Sequence, residues 1–314
     1  MKIPKETREW LLGAPEPYVL YQVQRLLAPG AADPTLLDRD PFVQGNLACV
    51  ATWRTDVLER HDKPGLFIHR LAMLADLGVT VETRGCKRIV DGMMKSFAKD
   101  GSFLINIAIP KAFGGSGNPA RDWIICDFPV VLYALLRMTN AGPALDPAVD
   151  KLKGLAGADY FPCCGSIPKF KGPGPRGGMC PYANLLVARA LSAHPKARSS
   201  AAARLAANAV LDHWTKRKEK KPFLFGMGRR FHKLKLPMVW YNLLHVVSAL
   251  KGIKGVASDP RFEELVDLLR GKLDATGRAT PESIYLEYKA QEWSDKKRPS
   301  RLMTVKVHSL INGR

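Results

Sequence analysis

Apolar residues recur at three- and four-residue spacing in six stretches, each opened by Pro, Cys or Ser. They are Pro17 to Leu27 (PYVLYQVQRLL), Pro64 to Leu74 (PGLFIHRLAML), Cys126 to Met138 (CDFPVVLYALLRM), Cys180 to Ser192 (CPYANLLVARALS), Pro237 to Leu250 (PMVWYNLLHVVSAL) and Ser300 to Ile311 (SRLMTVKVHSLI). That period predicts helices, and their nearly all-round apolar character predicts that other helices enclose them. The last five starts are 62, 54, 57 and 63 residues apart, the mark of a repeat architecture. Within the repeat Tyr182 falls opposite Trp240, and Asn184-Leu185-Leu186 opposite Asn242-Leu243-Leu244.

Between these stretches lie more polar, amphipathic ones at 6–12, 41–59, 88–98, 147–155, 201–216 and 261–273. Three of them follow Asp-Pro (Asp40-Pro41, Asp146-Pro147, Asp259-Pro260), where Asp is expected to cap the helix and Pro to occupy its first turn. The chain therefore reads as all-α: six helical hairpins, a polar helix before an apolar one in each. Residues 102–109 (SFLINIAI) are the one strand candidate. Six apolar helices inside six amphipathic ones predict an (α/α)6 toroid, residues 1–314 forming one domain. An open superhelix would leave a face of every apolar helix exposed and is the alternative.

Connections from polar to apolar helix are long in the last four hairpins, at 99–125, 156–179, 217–236 and 274–299. Long loops in compact domains usually carry function. In a toroid they share one mouth with the N-termini of the apolar helices, which favour anions. Lys and Arg outnumber Asp and Glu by 48 to 29, a net charge of +19, so anionic partners are expected. No stretch reaches the roughly 18 to 20 apolar residues that cross a bilayer, and Met1 to Trp10 hold no apolar run of signal-peptide type, so a cytoplasmic location is expected. Six cysteines in 314 residues are too few for a disulfide scaffold.

Cys126 and Cys180 each open an apolar helix, and Cys163 and Cys164 lie in the loop between those hairpins (FPCCGSIPKFKGPGPRGGMCPY). A helix N-terminus stabilises a thiolate, which suits a nucleophile or a metal ligand. Zinc takes four Cys, His or carboxylate ligands, or three in an open catalytic site. Cys126, Cys180, one of Cys163 and Cys164, and a neighbour such as His232 or Asp122 would make such a set. Free thiols are also common small core residues, the reading expected for Cys49 and Cys86.

Residues 216–235 hold nine Lys or Arg against one Glu. With Gly226 and Gly228 flanking Met227, the backbone there would approach an anion while Arg229, Arg230 and Lys233 supply charge and His232 a proton. A solvated basic loop is the plainer reading. Lys169, Lys171 and Arg176, and Lys296, Lys297, Arg298 and Arg301, extend the same rim. Phe128, Tyr133, Tyr182, Trp240 and Tyr241 would line a central cavity or simply fill the core. His245, a turn below Trp240 and Tyr241, is a candidate proton donor or acceptor with the same core alternative, and His69 is a lesser one.

From Trp10 to Leu27, from Lys99-Asp100-Gly101-Ser102-Phe103, and from the segments opening at Cys126, Cys180 and Pro299, the chain resembles the terpenoid cyclase and protein prenyltransferase superfamily, particularly its small prokaryotic proteins with prenyltransferase or squalene-oxidase repeats. The resemblance implies an (α/α)6 toroid with an apolar cavity for isoprenoid chains. In the protein-modifying members it implies a zinc ion that activates a thiol and basic residues that hold a diphosphate. The thiol group and the Arg229, Arg230, His232, Lys233 run are similar in kind to those parts. The chain carries neither a DxDD acid motif nor a DDxxD metal-diphosphate motif. Two functions follow as expectations. One is a metal-dependent transferase or cyclase-like activity on an isoprenoid or other apolar molecule with an anionic head. The other is a non-enzymatic toroid that binds nucleic acid or an acidic partner through its basic rim.

Overall fold

A computed structural model describes residues 2–59, 61–172, 178–219 and 225–312. Its α-helices are α1 (Lys5–Leu12), α2 (Pro17–Leu27), α3 (Thr35–Arg39), α4 (Pro41–Ala51), α5 (Phe67–Asp76), α6 (Cys86–Met94), α7 (Phe128–Met138), α8 (Asp146–Lys153), α9 (Pro181–Ser192), α10 (Ala201–Thr215), α11 (Leu243–Leu250), α12 (Pro260–Arg270) and α13 (Arg301–Asn312). The strand candidate contributes β1 (Ile105–Ile107), which pairs antiparallel with β2 (Ala120–Asp122), Ile105 opposite Asp122. The protein is mostly helical, as the periodicity predicts.

The two kinds of helix differ in what they bury. Every residue of α9 from Pro181 to Leu191 is buried, and so is α7 from Phe128 to Leu136. By contrast α6 buries Cys86, Val90 and Met93, and α12 buries Phe262, Leu265 and Leu269, one stripe at helical spacing. Each such apolar side chain contributes roughly 1.5–3 kcal/mol by leaving water. Consecutive apolar helices pack on one another: α5 on α7, α7 on α9, α9 on α11, α11 on α13, and α13 on α2. The polar helices back them, α4 on α5, α8 on α7, α10 on α9, and α12 on both α11 and α13. From the middle of α2, Gln22 Nε2 donates to the carbonyl of Leu77, which follows α5, at 2.7 Å. Buried apolar residues from Leu11 to Val307 form one connected cluster.

Helix starts follow the capping chemistry with two exceptions. Asp40 accepts from the Val43 N–H and Asp259 from the Arg261 N–H, both at 2.9 Å. Asp146 does not cap; it is the first residue of α8 and its Oδ1 lies 3.1 Å from His194 Nε2. The helix expected from Pro237 starts only at Leu243, because Asn242 is extended and its Oδ1 accepts from the His245 N–H at 3.0 Å. Asn184, its counterpart in the repeat, sits inside α9 and ties down a loop instead. Its Oδ1 accepts from the Phe161 N–H at 2.9 Å, and its Nδ2 donates to the Phe161 and Cys180 carbonyls. The same residue type at matching positions therefore does two different jobs.

The long loops carry their own core. Phe225 stacks near-parallel on Trp240, ring centres 5.6 Å apart, and Phe231 lies 5.3 Å from Tyr241. Trp293 meets Tyr18 and Phe42 edge-on at 5.7 and 5.4 Å. Loop aromatics thus fill the end where the apolar helices begin.

Candidate functional site

Three sequence-distant thiols meet beside the first turns of α7 and α9. Cys180 caps α9, its Sγ accepting from the Ala183 N–H at 3.4 Å, and the Cys163 thiol donates a hydrogen bond to it. That hydrogen bond, opposed by burial and assisted by the Ala183 and Tyr182 N–H groups, holds the Cys180 thiol below its ordinary pKa. Burial, with the neighbouring Cys180, Asp127 and Cys164, pushes Cys126 up. Cys163 is raised by its hydrogen bond to Cys180 and by burial, while Cys164 is raised by burial against the pull of Lys151. Cys180 is thus the most acidic thiol of the group, with the Cys163 thiol as its donor. Gly172 closes over the pair, and a Cβ there would collide with Cys163 Sγ.

Asp127, next to Cys126, is fully buried. Its Oδ1 is 2.7 Å from His61 Nδ1, close enough for charge pairing although off the direction of a hydrogen bond, and its Oδ2 has no hydrogen-bond partner among the described residues. Burial opposes the charged imidazole of His61, and Asp127 outweighs it, raising the His61 pKa. These donors have zinc-like chemistry, yet among the described residues no three His, Cys, Asp or Glu side chains converge closely enough to hold a metal ion. The cluster is therefore a thiol group beside a buried acid, and no step is assigned to zinc. Neither neighbour expected to complete a metal set stands with it. Asp122 accepts from the Ser166 hydroxyl at 2.8 Å, and His232 packs edge-on against Trp214 at 5.8 Å. Burial and the charges of Lys272 and Arg217 lower the His232 pKa. Cys86 is buried, its thiol pushed up to about 12 by burial, whereas Cys49, expected in the core, is exposed.

Of the basic run, Arg229 and Arg230 project into solvent and Lys233 is half-buried. Phe225, Met227 and Phe231 anchor the loop by burial, and the backbone at Gly226 and Gly228 is open. Lys220, Lys221 and Phe223 of this loop, and Arg176 of the thiol loop, lie outside the described residues. Lys169, Lys171, Lys296, Lys297 and Arg298 are exposed, while Arg301 donates to the Trp10 carbonyl at 2.9 Å.

The large cavity opens at the other end. A space of about 1280 Å³ is lined by the C-terminal turns of apolar helices, with Arg25 of α2, Asp76 of α5, Arg137 of α7 and Ser192 of α9, together with Lys251 just after α11 and Lys306 midway along α13. Leu26, Phe262, Val266, Val305 and Leu310 give it an apolar wall. Helix C-termini carry partial negative charge, and the cations of the last turns oppose it. Lys251 Nζ donates to the Ser309 and Leu310 carbonyls at 2.5 and 2.8 Å, and burial lowers its pKa to about 8.

At the floor stands a network that composition and spacing did not reveal. Arg189 is buried in α9 and its Nη2 donates to Asp76 Oδ2 at 2.5 Å, with the guanidinium 4.1 Å above the Tyr133 ring. Tyr133 donates its O–H to Asp76 Oδ1 at 2.5 Å. Burial works against the Asp76 carboxylate, yet Arg189, Lys306 and the Tyr133 hydroxyl hold its pKa below the ordinary value. Arg189 Nη1 also reaches His245 Nε2 at 3.2 Å and the Met238 carbonyl at 3.3 Å. With His245 Nδ1 3.2 Å from the Trp240 carbonyl, the ring is a neutral Nδ1–H tautomer with both nitrogens engaged. Burial, then Arg189, pushes its pKa down to about 3. His69, likewise buried, lies at 2.7 Å from the His61 carbonyl and falls to about 4. Of the five aromatics singled out, Tyr133 alone lines the cavity; Phe128, Tyr182 and Tyr241 are buried in the core and Trp240 is half-buried. The legible signal for the network was Arg189, a charge inside the apolar stretch Cys180 to Ser192.

No protein-family model matches the chain, and neither curated proteins nor solved structures give a match.

Proposed function

We propose that the chain is an (α/α)6 toroid whose cavity at the C-terminal ends of the inner helices binds an apolar molecule with an anionic head. The toroid reading is supported by the succession of packed helices from α5 to α13 and by the return of α13 onto α2. The ligand reading rests on the two-sided lining of the cavity. Arg270 pairs with Asp267, and Arg189 with Asp76. Arg25 and Arg137 have no carboxylate within ion-pair distance among the described residues, and both lie near enough to Lys306 to lower its pKa. Two unpaired guanidiniums beside an apolar wall suit a carboxylate or phosphate with a hydrocarbon tail. An isoprenoid diphosphate is one such molecule.

Isothermal titration with farnesyl diphosphate tests this. Arg137→Glu is expected to weaken binding about tenfold or more, the scale of one lost charge-assisted contact. The Arg229→Glu, Arg230→Glu pair should leave it unchanged. Absence of binding to the wild type, or loss only in the second variant, overturns the assignment to this cavity. The exposure of Arg229 and Arg230 favours a second role for the opposite face, contact with nucleic acid or another polyanion, which would weaken steeply with salt.

A further inference from the structure

Lys251 and Lys306 are both cavity amines held by two neutral oxygens each, and of the two Lys306 is the one that Arg25 and Arg137 flank. Its Nζ donates to Gln22 Oε1 at 2.9 Å and to the Asp76 carbonyl at 2.6 Å, both neutral oxygens, and no carboxylate of the described residues pairs with it. A neutral amine has two N–H donors and one lone pair. Those two acceptors use both donors, so the lone pair is left for the cavity that Lys306 lines. A lysine held to stay charged would instead be expected against a carboxylate, as Lys151 is against Asp100 at 2.7 Å.

The surroundings raise the share of the neutral form above that of an ordinary lysine. Arg25 of α2, Arg137 of α7 and Arg189 of α9 face it with like charge, Asp76 of α5 with opposite charge, and Lys251, Glu263, Asp267 and His308 share its cavity. Burial is the largest influence and the three arginines add to it, so the amine falls to about 8 although Asp76 opposes. At pH 7 roughly a tenth of such an amine is neutral, against a few parts in ten thousand for an ordinary lysine.

We propose that Lys306 is an imine-forming residue that captures a carbonyl group on an anionic ligand, a 2-oxo acid or an aldehyde acid whose carboxylate sits between Arg25 and Arg137. This rests on the cavity's reading as an anion site and narrows its ligand class. The Nζ lone pair attacks the carbonyl carbon and a C–N bond forms. The carbonyl oxygen then leaves as water with the two amine protons, so no oxidant or reductant is consumed. Once protonated, the imine keeps one N–H for the Asp76 carbonyl.

Glyoxylate with cyanoborohydride, followed by peptide mass mapping, tests the proposal. One carboxymethyl group should appear on Lys306 at least tenfold faster than on the exposed Lys216 and Lys218, a margin below the difference in neutral amine to allow for access. Farnesyl diphosphate should protect it. Arg137→Gln should slow labelling by glyoxylate several-fold more than labelling by uncharged glycolaldehyde, which it slows only by letting the Lys306 pKa rise. Lys306→Met should abolish the selective adduct, with Lys306→Arg as the charge-keeping variant if the methionine chain fails to fold. Labelling spread over surface lysines in a protein that still binds farnesyl diphosphate would overturn the imine and leave the cavity reading intact. Selective labelling without farnesyl diphosphate binding would support the imine and overturn the apolar-tail reading beneath it.

Discussion

Arg189→Met tests the network at the cavity floor most directly. The guanidinium is 3% exposed and its partner Asp76 10%, so the pair is shielded from the solvent that makes surface ion pairs nearly neutral. Methionine fills much of the volume but removes the donors to Asp76, His245 and the Met238 carbonyl. Asp76 would then be a buried carboxylate held only by Tyr133 and the nearby amine. Removing one member of a buried pair costs about 3–5 kcal/mol, chiefly because the other charge is stranded. For a chain of 314 residues that is a fall of about 5–8 °C in Tm. Urea unfolding followed by circular dichroism measures it. Adding Asp76→Leu to the variant removes the stranded charge, so the double variant should recover 2 kcal/mol or more of the summed single costs. The acid limb carries a second signature. Because the folded chain holds the Asp76 carboxyl below its ordinary value, this stabilisation is complete above about pH 4 and is lost as pH falls through the folded value. Arg189→Met should flatten that loss. A single-variant cost below about 1 kcal/mol, or two single costs that simply add, would refute the reasoning.

Two further outcomes follow from other parts of the molecule. Trp293→Ala, which empties a site enclosed by Tyr18, Phe42 and Tyr288, should cost about 3–5 kcal/mol in the same urea assay. Cys163→Ala removes the donor to Cys180, so the lowest thiolate transition, read by ultraviolet absorbance against pH, should move up; no movement would place that thiolate elsewhere.

The helices were legible because their cause is local. A period near 3.6 and a start signal reside within a dozen residues, and α2, α4, α7, α9 and α13 begin within two residues of the expected positions. Where a cap outranked the pattern the reading slipped: Asn242 delays α11 by six residues, although Pro237 to Tyr241 continue the apolar run. The meeting of Cys126, Cys163 and Cys180 was also accessible, since two of them open neighbouring helices and the third lies in the loop between. Asp127 was overlooked beside Cys126 because its significance depends on burial and on His61, which sequence spacing does not convey.

The end of the molecule that opens was decided by tertiary structure. Long loops and helix N-termini pointed to one mouth, but loops of that length bring their own aromatics, and Phe225, Phe231 and Trp293 fold inward and fill it. The opposite end stays open because the connections there are short and the last turns of α2 and α7 bear Arg25 and Arg137, whose charged ends resist burial. By itself the sequence determined helices, their alternation of faces and the excess of positive charge, all properties of neighbouring residues. Only the packed chain decided that Asp76 and Arg189, 113 positions apart, meet at the floor of a cavity with Lys306.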